Sequence, residues 1–135
     1  MDAEDLVRAT SGRAEVRRYR ASSSFLDRIR QSVTLTGSAA VDARRDVAGL
    51  FGLASAQRDA VDGYVDRATV RHLVDLYHLV EDVGGNVTLR VADTWNAVGD
   101  VADDVVVALD LAESLDVRER SAGLALLRTR LAASA

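Results

Sequence analysis

Between Val70 and Leu115 a seam of positions recurs alternately three and four residues apart: Val70, Leu73, Tyr77, Val80, Gly84, Val87, Val91, Thr94, Val98, Val101, Val105, Ala108, Ala112 and Leu115. All but Gly84 and Thr94 are apolar, in a chain that is 48% apolar overall, and the spacing is that of a stripe by which helices pack. A second seam runs through Leu26, Ile29, Val33, Thr36, Ala40, Ala43, Val47, Leu50, Ala54, Gln57, Val61, Tyr64 and Ala68. Its recurrent alanines predict a shallow stripe on which helices approach closely.

These seams predict an all-α fold. Residues 1–135 form one helical domain, a four- or five-helix bundle whose central antiparallel hairpin runs from about Ser38 to Val83 and from Val87 to Ser114. Gly37-Ser38 marks a break, since Gly can end one helix and Ser cap the next. Gly84 to Asn86 forms the hairpin turn, because two Gly and an Asn inside a helix cost about 2–3 kcal/mol against alanine. Asp116 to Glu119 has the arrangement of a capping box, so a last helix begins at Val117 and turns Leu124, Leu127 and Leu131 inward. Ser22 to Ser24 caps a helix opened by Phe25. Residues 2–20 suggest a first helix interrupted at Ser11-Gly12, and residues 1–23 a loosely attached basic arm. The alternative is an α+β fold. Val87-Thr88-Leu89-Arg90-Val91 alternates strictly, as does Val33-Thr34-Leu35-Thr36, which allows a short strand at 87–91. The bundle is preferred because no third segment offers the further strand that a stable sheet needs.

Composition sharpens the picture where it excludes. There is no cysteine, which removes disulfides, thiolate metal sites and cysteine nucleophiles, and no proline, which favours long helices. The start Met1-Asp2-Ala3-Glu4-Asp5 is acidic where a signal peptide is basic, and no apolar run approaches the roughly 18 residues of a membrane helix, so a cytoplasmic location is expected. The net charge of −4 gives no general pull toward nucleic acid. That sum hides a pattern: residues 1–45 carry nine Arg against six acids, residues 46–116 four Arg against fourteen acids, and residues 117–135 four Arg against one acid. Basic ends around an acidic middle invite pairing within a chain or between chains.

Little in the chain resembles chemistry. His78 has Asp75 and Asp82 at helical spacing, but a bundle metal site needs a second such motif and inward glutamates that are lacking, so no metal is assigned. No phosphate-cradling loop, nucleophile with its base, or cofactor site is recognisable, and a non-enzyme without cofactor is expected. Asp100, Asp103 and Asp104 repel one another and read as a solvated face, or as a receiver for the basic arm of another copy. The partner-binding candidates are Tyr77, Val98, Val101 and Val105 on the seam, Trp95 beside its Thr94, and Arg13, Arg17 and Arg20, which would share a helical face in the basic arm. The expected function is therefore a structural or adaptor protein that forms a homo-oligomer or binds a helical partner. Two alternatives are a small regulator holding nucleic acid through the arginine arm and a ligand or metal sensor using the bundle interior.

Overall fold

In a computed structural model, residues 2–37, 39–40, 60–92 and 103–133 are described. Helix α1 (Ala3–Ala9) starts from a capping box, in which Asp2 accepts from the Asp5 amide and Asp5 from that of Asp2. Strand β1 (Glu15–Arg20) follows. Ser22 caps a short 3-10 turn over Ser23–Phe25 that leads into α2 (Leu26–Gln31), and β2 (Thr34–Leu35) comes next.

Beyond residue 60 the chain forms β3 (Val61–Val65) and α3 (Arg67–Tyr77), then β4 (Val80–Glu81) and β5 (Val87–Val91). Helix α3 is opened by Asp66, which accepts from the Thr69 amide at 2.7 Å, and closed by His78 in the left-handed conformation. Helices α4 (Asp104–Ala112) and α5 (Val117–Ala133) complete the described chain.

The strands form one mixed sheet in the order β2-β3-β5-β1-β4, and this overturns the helical bundle, its coiled-coil seams and the hairpin of long helices. Among the described residues only β3 and β5 pair in parallel. The alternative strand at 87–91 is real, and it is the centre of the sheet, flanked by β3 and β1 over its whole length. Val61-Asp62-Gly63-Tyr64-Val65 supplies the strand that the helical expectation found lacking: Val61, Gly63 and Val65 alternate with Asp62 and Tyr64, a period of two that the helical seam through Val61 and Tyr64 hides.

One face of the sheet carries Val61, Val65, Val87, Leu89, Val91 and Tyr19, all buried. On it lie α2, with Leu26 and Ile29, and α3, with Val70 and Leu73. The opposite face carries Asp62, Tyr64, Thr88 and Arg90 and meets α4, which packs on α5 and through it on α1. Gly123 lets α4 and α5 approach closely, since a Cβ there would collide with the Ala108 carbonyl.

The link from β4 to β5 explains the run Gly84-Gly85-Asn86. β4 and β5 flank β1 on opposite sides, so residues 82–86 must cross over β1. They do so at Gly85, where any Cβ would strike the Tyr19 carbonyl. Asn86 then fastens the crossing, accepting from the Ala21 amide at 2.8 Å and donating to its carbonyl at 2.9 Å.

Candidate functional site

The polar face of the sheet meets α4 through a charge cluster centred on Asp110. In α4, Asp110 is the one charged residue within Val105 to Ala112, and its carboxylate is fully buried. Alternation in β3 and β5 aims Asp62, Tyr64 and Arg90 at the same layer. Asp110 accepts from Thr36 Oγ1 at 2.5 Å, Tyr64 Oη at 3.0 Å, Arg13 at 2.5 Å and Arg90 at 3.1 Å. Arg90 also grips both oxygens of Asp62, at 2.8 and 2.9 Å, and Arg13 pairs with Glu113.

Burial and charge pull these groups in opposite directions. Burial and the neighbouring Asp110 push the Tyr64 hydroxyl up to about 12. Burial also pushes the Asp62 carboxyl above its ordinary value, against the pull of Arg90. Both guanidinium groups resist burial and are held charged, Arg13 chiefly by Asp110 and Arg90 chiefly by Asp62. Among the described residues no buried side-chain polar atom lacks a partner. A cluster whose donors and acceptors are all committed to one another locks α4 to the sheet, and leaves little of its capacity for an outside molecule.

Beside the cluster a hollow of about 410 Å³ opens over Arg18, Thr88 and Gly85, with Glu113, Asp116 and Glu119 on its helical side. Glu119 sits above the ordinary glutamate range, raised by partial burial and then by Asp116. A second hollow lies along the outer side of β1, between Val16 to Arg18 and Glu81 to Val83. Val16 and Arg18 belong to both. Val16 is 39% exposed, Val83 90% and Leu115 92%, so three large apolar side chains ring this ground with little cover.

No protein-family model, curated protein or solved structure matches this chain. The site therefore stands on its own geometry.

The candidate residues are dispersed by the fold. Tyr77 is half-buried and stacks its ring on Phe25 at 5.2 Å, tilted by 43°, and Val105 is half-buried against the core. Trp95, Val98 and Val101, with Asp100, lie outside the described residues. Arg13, Arg17 and Arg20 share no helical stripe. Arg13 precedes β1 and enters the Asp110 cluster, Arg17 pairs with Glu15 at 3.0 Å, and Arg20 pairs with Asp82 at 2.6 Å. His78 ends its helix rather than lying within it, and among the described residues no group of acids and histidines is placed to hold a metal.

Sequence reasoning missed Asp62, Arg90 and Asp110 as a set. The signals existed: a single acid in an apolar octet, and one Asp and one Arg each inside a five-residue run that begins and ends in Val. What joins them is the pairing of β3 with β5 and the docking of α4 on that sheet, between residues 20 and 28 positions apart, which spacing cannot express. Among the described residues no helix is long and apolar enough to cross a membrane.

Proposed function

We propose that this chain is a non-enzymatic interaction protein of the cytoplasm that works by docking, first of all to a second copy of itself. The observation that carries the reading is that exposed Val16 lines both hollows, with exposed Val83 in the one along the outer side of β1 and exposed Leu115 in the other. Single exposed apolar residues are ordinary, but a joined set beside an unfinished sheet edge marks an interaction surface. The closed bookkeeping of the Asp110 cluster supports a scaffold role, because its charges are spent on holding layers together. The nucleic-acid alternative loses support, since Arg13, Arg17 and Arg20 are engaged by acids of the same chain.

Light scattering over a wide concentration range tests the proposal. A mass above the 14.5 kDa of one chain is expected, falling to that value in Val83→Asp or Leu115→Asp with the circular dichroism spectrum unchanged. A single-chain mass throughout would sink self-association. The hollow over Arg18 favours a second reading, a sensor of a small polar ligand. Thermal shifts against a panel of amines and carboxylates would decide it, and no shift with any of them would remove it.

A further inference from the structure

Strand β1 is paired unequally. On one side β5 accompanies it from Glu15 to Tyr19, whereas on the other β4 pairs only with Tyr19 and Arg20. The Asp82 amide adds one bond to the Arg18 carbonyl, and the chain then turns away, with Gly85 donating back to Asp82. Because backbone groups alternate in direction along a strand, Val16 presents its N–H and C=O to the same outer side as Arg18. Among the described residues neither group of Val16 has a backbone partner on that side.

We propose that two copies of this chain associate by pairing the Glu15 to Arg17 stretch of their β1 edges, which β4 and Asp82 leave open, antiparallel about a two-fold axis at Val16, joining the two sheets. The inference rests on the reading above that copies self-associate, and it names how. With Val16 opposite Val16 of the second copy, each donates its N–H to the other's carbonyl. Glu15 then stands opposite Arg17 of the second copy, and Arg17 opposite its Glu15. The strand is thus complementary in charge to itself in this register and no other centred nearby. Glu15 and Arg17 lie on one face, already 3.0 Å apart within a chain, with Arg67 at 3.5 Å from Glu15, so pairing would extend an existing ion network. Val16, with Val83 beside it, provides the apolar contact on the other face, in the hollow of about 490 Å³ that runs along this edge. An isologous contact of this kind closes at two copies and hides the exposed edge.

Charge reversal tests the register. Glu15→Arg alone and Arg17→Glu alone set like charges opposite each other twice and should each weaken dimerisation roughly tenfold or more. Mixed in equal amounts, the two variants become complementary again and should recover the wild-type dimer as a heterodimer. A wild-type monomer at all concentrations overturns both this inference and self-association. A wild-type dimer that ignores both reversals, or variants that fold yet do not recover on mixing, overturns this inference alone. Where a reversal impairs folding, Val16→Cys decides instead, since the chain has no other cysteine. Facing strands bring such a pair to roughly 5.5 Å between Cα atoms, within disulfide reach. Oxidation should cross-link it faster than the exposed control Val80→Cys, and equal or slower cross-linking overturns the inference.

Discussion

Asp110 shows how much one side chain can hold. Four donors converge on its buried carboxylate, from Thr36, Tyr64, Arg13 and Arg90. A buried ion pair adds little over a well-packed apolar substitute, but removing one member leaves uncompensated charge, which costs about 3–5 kcal/mol. Asp110→Ala should lose stability of that order in urea unfolding, a large part of the roughly 5–15 kcal/mol of a whole domain. Tyr64→Phe removes one donor among four and should lose only about 1 kcal/mol. Glu119 gives a test with the opposite sign. Its folded pKa is raised above the ordinary 4.5, so between these two values the folded state holds more protons than the unfolded one. Stability at this position therefore falls as pH rises through that window. Glu119→Gln should be more stable than the wild type at neutral pH, and the gain should vanish as pH falls below the ordinary glutamate value, as followed by thermal unfolding.

Single elements are shaped by close backbone approaches that glycine permits. Gly123 in α5 would gain roughly 1 kcal/mol of helix propensity as alanine. The added Cβ would collide with the Ala108 carbonyl of α4, and overpacking costs about 1–3 kcal/mol. The collision wins because the obstacle is backbone, so Gly123→Ala should lower the melting temperature. Gly85→Ala should do more damage, since residues 82–86 have no other route across β1 and the obstacle is again backbone. A urea midpoint at or above that of the wild type would count against this account of the crossing. At this scale the ends of elements were legible from sequence. Asp116 caps α5 through the Glu119 amide at 3.1 Å, although Glu119 receives Ser114 instead of completing the box. Ser22 caps the 3-10 turn that ends at Phe25 rather than α2 itself, which starts after Phe25 without a side-chain cap, and of the three leucines expected inward Leu127 is fully buried and Leu124 and Leu131 partly so. The identity of the central elements was not legible. Val87 to Val91 fits both a three-and-four seam and strict alternation, and nothing local chooses between them.

For the molecule as a whole, the two faces of the sheet are held by different physics, an apolar layer under α2 and α3 and a polar one under α4. Val83 and Leu115 contribute to neither, so Val83→Asp and Leu115→Asp should change unfolding free energy by no more than about 0.5 kcal/mol while altering association. Light scattering beside urea unfolding of the same variants separates these effects. The segmental charge pattern pointed to pairing of basic ends with an acidic middle, and the fold realises part of it within one chain: Arg13 with Asp110, Arg20 with Asp82 and Arg130 with Asp104. By itself the sequence determined the cap and start of the final helix, which depend on residues a few positions apart, and the want of cysteine chemistry, which depends on composition alone. Only the tertiary structure decided that β1, four charged residues around a lone Tyr19 and Val16, is a strand, since its partners come from residues 80–91. The same holds for the Asp62, Arg90 and Asp110 cluster. Strand pairing and buried ion pairs are made between distant segments, and their energy enters only when the chain has closed on itself.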